Sequence, residues 1–231
     1  MFNSFAAEFP TSARSEKAIS MVAPTLKKQL SDKGLEYGAP IFIRIFKDPG
    51  ILEVWLESDD GTFIHFKNYE ICTFSGDLGP KLKEGDNQSP EGFYYVDASG
   101  LNPWSNYHLS FNLGFPNKYD RTHNRTGSAL MVHGNCVSIG CYAMTDEYIN
   151  EIYALGAAAL KSGQSFLGFI HFRLCLRMKF YQSIKQTNGT LFGLTLKKVT
   201  ITLTTIKSHQ MLKFIKECIR SKIDINGKKY T

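Results

Sequence analysis

Apolar residues recur at helical spacing near the start of the chain, where Ala18, Val22, Leu26 and Leu30 form one stripe within residues 15–33. This repeat predicts an amphipathic helix with Ser15 as N-cap and Gly34 as its C-terminal stop, kinked or split at Pro24. From residue 41 the pattern shortens. Residues 41–47 and 51–57 are runs rich in Ile, Val, Phe and Trp, separated by Asp48-Pro49-Gly50, the chemistry of a turn between two strands. Asp59-Asp60-Gly61 turns the chain into residues 62–66, with 69–74 following, so this half reads as a β-meander. Glycines and prolines at turn-like spacing make residues 75–95 a long ordered loop, a place where function often sits, and residues 92–96 resume strand character. Residues 109–113 and 129–133 are further strand candidates. A second helix starts at Thr145 as N-cap, carries Asp146 and Glu147 in its first turn, buries Ile149, Ile152, Tyr153 and Leu160 on one face, and closes at Gly163.

The chain has 231 residues, 43% of them hydrophobic, enough for one domain with a proper core. It contains no apolar run of about 18 residues or more, so no transmembrane segment is expected. Residues 1–10 lack a basic n-region and an apolar h-region, which leaves two readings: a cytoplasmic protein, or one whose true start lies upstream. Five cysteines, Cys72, Cys136, Cys141, Cys175 and Cys218, are too few and scattered for a disulfide framework, and their odd number leaves at least one thiol unpaired.

The segment from His133 to Cys141 sets a histidine at the end of a strand candidate and a cysteine just before a helix start. A helix N-terminus favours a thiolate and a developing oxyanion, and a chain doubling back through Gly134 and Gly140 brings a general base toward the sulfur. The same residues read as structural side chains in the blander alternative. A third reading, zinc held by His133, Cys136 and Cys141, supplies only three ligands without the paired spacing of structural sites, so no metal and no cofactor are expected.

Around these residues the chain resembles the L,D-transpeptidase catalytic domain of the YkuD type, in particular its YafK-like murein transpeptidase/amidase branch. The likeness runs from about residue 41 to 164. It is carried by Ser138-Ile139-Gly140-Cys141-Tyr142-Ala143-Met144-Thr145 with His133-Gly134 before it, by Leu78-Gly79-Pro80-Lys81, Gly85-Asp86, Pro90-Glu91-Gly92-Phe93-Tyr94, Phe115-Pro116-Asn117 and Tyr119-Asp120-Arg121. The resemblance implies a mixed, β-dominated α+β fold: a YkuD-like β-sandwich with an N-terminal helix and a helix following the catalytic cysteine. It implies Cys141 as nucleophile and His133 as base, with Gly134, Ser138 and Gly140 shaping the site and the Gly140 and Cys141 N–H groups as oxyanion donors. The expected reaction attacks amide bonds at meso-diaminopimelate in peptidoglycan stem peptides through a thioester, resolved by an amine or by water.

Where many family members carry His and Arg, this sequence has Ile139 and Ala143. Without that Arg the substrate carboxylate needs another clamp, for which Arg121 and Arg125 are candidates, beside a solvated-loop reading of both. Tyr119, Lys81 and Glu91 join them as substrate-binding candidates, while Asp86 and Glu91 read equally well as fixing the loop's own N–H groups. The departure favours hydrolysis, including release of murein-linked lipoprotein, over cross-linking. The resemblance further implies the periplasm or cell envelope and no nucleic-acid partner. The rival functional reading is an inactive relic or a murein-binding module without turnover.

Charge divides the chain. Through Phe172 there are 14 basic and 19 acidic residues; from Arg173 onward there are 13 and 2, so −5 and +11 make up the net +6. The resemblance ends near Gln164, yet a shifted reading frame over residues 198–203 permits G-Y-D-Y-F, and over 208–219 permits P-P-N-V-K-V-H-K-G-M-Y. Both strings resemble the ending of the YafK-like branch. The expectation is a frame change between about Gly163 and Arg173, against a rival reading as a true basic tail for anionic partners. The division expected is an N-terminal helical segment at 1–38, an L,D-transpeptidase-like catalytic domain at 39–172 and an atypical basic tail at 173–231.

Overall fold

The strands run in short apolar stretches broken by turn residues, and the computed structural model describes them over residues 9–174, with side chains through His171. Helix α1 (Ala13–Ser31) leads into the hairpin of β1 (Ile41–Asp48) and β2 (Ile51–Glu57), then β3 (Phe63–Glu70) and β4 (Thr73–Phe74). After the long loop come β5 (Gly92–Val96), a 3₁₀ turn at Ala98–Gly100, β6 (Leu101–Asn102), β7 (Ser110–Asn112) and the one-turn helix α2 (Lys118–Thr122). The described residues close with β8 (Met131–His133), β9 (Tyr142–Ala143), α3 (Asp146–Lys161) and β10 (Leu167–Leu174). Two five-stranded sheets result, in the orders β3-β2-β1-β10-β5 and β4-β9-β8-β7-β6. The expected mixed, β-dominated α+β architecture is the one observed.

One core serves both sheets and both long helices: Ile43, Ile45, Leu52, Phe111, Val132, Ile152 and Phe169 are all fully buried within it. Each such side chain contributes about 1.5–3 kcal/mol by leaving water. Helix α1 docks on α3, with Ala18, Leu26 and Leu30 buried. Its N-cap is Ser12, not Ser15: the Ser12 hydroxyl accepts from the Ser15 N–H, while Ser15 closes a capping box in the first turn. Pro24 does not split the helix, because the buried residues on either side of it hold both halves on the same core.

Two strand expectations change. Residues 62–66 and 69–74 were expected as separate strands, but β3 continues through Lys67 and Asn68, where the Lys67 ammonium reaches Glu151 of α3 at 2.6 Å. The region after Gln164, which showed no clean period, contains β10, lying parallel to β1 and antiparallel to β5 in the middle of its sheet. A strand covered on both faces has no need of alternation, so its sequence reads as a mixed apolar run. It extends to Leu174, paired with Asp48, two residues past the expected domain boundary. The stretch expected to hold the frame change, Gly163 to Arg173, falls within the described residues and contains most of β10, whereas residues 198–203 and 208–219, the rest of the tail, Cys175 and Cys218 lie outside them.

Candidate active site

Strands β8 and β9 pair in parallel, Val132 opposite Tyr142 and His133 opposite Ala143. Cys141 immediately precedes β9, two residues before the partner of His133. The half-buried thiol lies over the start of β8, its sulfur 3.7 Å from the Ala129 carbonyl oxygen and hydrogen-bonded by the Met131 backbone. Sequence spacing placed this cysteine directly at a helix start. Instead β9 intervenes, and the α3 N-terminus is capped by Thr145 and faced by Asp146 and Glu147. Burial raises the thiol above its ordinary pKa, opposed by the Met131 hydrogen bond and the positive charge of Lys81.

His133 is buried at 2% exposure, with the Tyr107 ring packed on it at 4.7 Å between centroids. Its Nδ1 lies 2.6 Å from the Gly134 carbonyl oxygen. A carbonyl only accepts, so Nδ1 carries the hydrogen and Nε2 is the basic nitrogen of the neutral ring. Burial holds the imidazolium below its ordinary pKa, partly offset by that carbonyl. The next residue must be glycine: a Cβ on Gly134 would stand 2.6 Å from Asp146 Oδ1 and 3.0 Å from both His108 Cβ and Ile149 Cγ2.

The connection from His133 to Cys141 is pinned at several points. Cys136 is bonded to Cys72, with Cα atoms 5.3 Å apart across 64 residues of chain. Among the described residues Cys141 is the free cysteine, and no group of three His, Cys, Asp or Glu is placed to hold a metal ion. Asn135 donates its N–H to Asp146 at 2.8 Å, and Cys136 donates its N–H to Met144 at 3.2 Å. Ser138 Oγ lies 2.9 Å from Ser75 Oγ, donates to the Cys141 carbonyl at 2.7 Å and accepts from the Gly140 N–H at 3.1 Å. Of the two expected oxyanion donors, Gly140 is therefore occupied by Ser138, leaving the Cys141 N–H. Gly140 adopts φ +153, a conformation L side chains rarely take. Val137 and Ile139 on this loop are exposed, Ile139 at 82%.

The opposite wall is the loop at 75–90. Lys47 of β1 is buried and donates to the carbonyls of Asp77, Gly79 and Ser89 at 3.1, 2.7 and 2.7 Å. Glu91 stands 3.5 Å from that ammonium and accepts the Gly79 N–H at 2.6 Å, so its carboxylate fixes the loop's own backbone. Ser89 in turn donates to the Cys141 carbonyl at 3.0 Å. Asp86 accepts from the N–H groups of Leu82, Lys83 and Gln88 and pairs with Lys81 at 2.5 Å. Burial opposes its ionisation, but Lys81 and these N–H groups prevail and bring its carboxyl down to about 2. Ser89 and Tyr107 carried no motif of their own in the sequence; only their long-range partners reveal them.

Residues 52–161 match the family model of the YkuD L,D-transpeptidase catalytic domain. Over this segment, just under half of the chain, the sequence is similar to that catalytic domain. Over 150 residues it is 43% identical to "Putative L,D-transpeptidase YafK" of Escherichia coli, strains K12 and O157:H7, covering 65% of this chain. The match spans 58% of the length of those relatives. The crystal structure of the helical cell shape determining protein Pgp2 from Campylobacter jejuni is similar at 19% identity and TM-score 0.45, over 85% of this chain and 77% of that one.

The arginine candidates serve the 116–125 turn. Arg125 pairs with the buried Asp120 at 2.8 Å and lies over the Tyr119 ring at 5.2 Å. Arg121 donates to the Pro116 carbonyl. Asp120 also takes hydrogen bonds from Tyr94 and Asn117, each at 3.0 Å. Ala143 is fully buried between β4 and β8, a position with no room for a solvated guanidinium. Lys81 is the cation whose charge acts on Cys141.

Proposed function

We propose that Cys141 is the nucleophile and His133 the general base of a peptidoglycan-modifying enzyme that works on amide bonds at meso-diaminopimelate. The observation that carries this reading is the His133 Nδ1–Gly134 carbonyl contact, which leaves Nε2 basic on the strand that pairs with the one following Cys141. A raised thiol and a lowered imidazole together mean a neutral pair at pH 7, so base and nucleophile work by proton transfer at the moment of attack.

The Cys141 proton passes to His133 Nε2 as sulfur bonds to the amide carbon, and the carbonyl π electrons move onto oxygen near the Cys141 N–H. The tetrahedral species collapses, the C–N bond breaks, and the departing amine takes the proton from His133. A thioester remains. Water, deprotonated by His133, adds to it and releases a carboxylate, returning the proton to sulfur. An amine in place of water makes a cross-link.

The buried Ala143 supports hydrolysis as the main outcome, with murein-linked lipoprotein among the substrates and the cell envelope as location. Substrate contacts are assigned to the loops bearing Tyr119, Arg121, Arg125 and Lys81, with Glu91 acting from beneath through Gly79. The catalytic unit spans about residues 39–172. Muropeptide digestion followed by chromatography tests this: wild type releases products, Cys141→Ala and His133→Ala do not. Equal turnover by Cys141→Ala would overturn the assignment.

A further inference from the structure

Lys81 is a lysine where few are found, 4% exposed. Its stem lies along residues 126–128, close enough that a Cβ on Gly127 would stand 2.6 Å from Lys81 Cε. Three further contacts lock the two segments together: the Thr126 N–H on the Leu82 carbonyl at 3.2 Å, the Glu84 N–H on Thr126 Oγ1 at 3.1 Å, and the Ser128 hydroxyl on Glu84 at 3.3 Å. The segment at 126–128 leads directly to Ala129, whose carbonyl receives the thiol. Lys81 and the thiol thus lie against the same short segment, residues 126–129. The charged and titratable groups on the surrounding segments are Lys81, Lys83, Glu84 and Asp86 from the loop, Arg125 ahead of Thr126, His133 from β8 and Asp146 at the start of α3. Of these, Glu84 is exposed and Asp146 is turned to the Asn135 N–H, while Lys81 acts favourably on the thiolate.

We propose that Lys81 is a positioning residue whose buried ammonium serves as counter-cation to the Cys141 thiolate, with Asp86 setting how much of that charge the sulfur feels. The inference rests on Cys141 being the nucleophile, yet it concerns the thiol itself and does not require turnover. A helix N-terminus supplies such charge in many cysteine sites; here β9 separates the thiol from α3, and Lys81 takes that part. Asp86, itself held by three backbone N–H groups, tethers the lysine in one place and offsets part of its charge.

The test is the pH dependence of iodoacetamide labelling at Cys141 in the full chain, followed on the Cys141 peptide by mass spectrometry, with circular dichroism as a fold check. Lys81→Met should slow labelling at pH 7.5 by about threefold, the size of one partly screened charge, and move the profile to higher pH. Lys81→Arg should restore it. Asp86→Asn, which leaves the ammonium uncompensated, should move the profile the opposite way and speed labelling. A loosened loop would shift both variants in the same direction, and that result, or no shift in either, overturns the proposal. If Lys81→Met does not fold, Asp86→Asn decides alone: faster labelling supports the proposal, and unchanged or slower labelling overturns it. Muropeptide turnover measured alongside separates this outcome from failure of the proposed enzymatic function.

Discussion

His133 donates its Nδ1 hydrogen to the carbonyl of Gly134, the next residue in the chain, at 2.6 Å. The imidazole is thereby oriented without a carboxylate partner, and the orientation depends on a glycine that no larger residue can replace. Gly134→Ala must displace Asp146, His108 or Ile149. It should cost about 1–3 kcal/mol in urea denaturation and lower turnover together with it.

A second dependence runs through Lys47, which holds three loop carbonyls and faces Glu91. Lys47→Met removes a buried charged donor from those three carbonyls and from beside the Glu91 carboxylate, although Gln88 still donates to the Asp77 and Gly79 oxygens. A loss of about 3–5 kcal/mol is expected in chemical denaturation, with the 75–90 loop becoming protease-sensitive.

The Cys72–Cys136 bond closes a 64-residue separation and ties the His133–Cys141 connection to the sheet edge before β4. Cys72→Ser/Cys136→Ser should therefore destabilise the folded chain by about 2–4 kcal/mol. Wild type in dithiothreitol should show a similar fall in Tm, whereas the double variant should be insensitive to the reductant.

Acid stability is governed in part by His171 of β10, fully buried among Tyr94, Tyr142 and Phe169 and hydrogen-bonded to the Pro90 carbonyl at 3.3 Å. Burial pushes its pKa down to about 3, from an ordinary value of 6.5. Between those values the unfolded chain binds the proton and the folded chain does not, so stability rises with pH across the window. The contribution is complete above about 6.5 and is lost as pH falls toward 3, at up to about 1.4 kcal/mol per pH unit. His171→Phe should flatten this slope in urea titrations between pH 4 and 7; an unchanged slope would count against it.

Much of this could be read from the chain. The hairpin at β1 and β2, strand β5 and the Thr145 cap of α3 follow from local turn and capping chemistry, and each stands where the pattern put it. The His133–Cys141 segment announced its chemistry through residue types. What stayed hidden depends on distance along the sequence: β10 joins β1 after more than a hundred intervening residues, Ser75 meets Ser138, and Cys72 meets Cys136. Strand β9 was missed because its two residues are shorter than any period. The sequence reading therefore put the thiol just before a helix start, without the strand that stands between them.

The most direct measurement is intact-protein mass spectrometry after rapid mixing with a purified muropeptide containing meso-diaminopimelate. Wild type should show an acyl adduct of the donor fragment, mapped to Cys141 after digestion and released by hydroxylamine. Cys141→Ala should show none, and His133→Ala should form it far more slowly. Product formation by wild type with no adduct at Cys141, and undiminished in Cys141→Ala, would contradict the account.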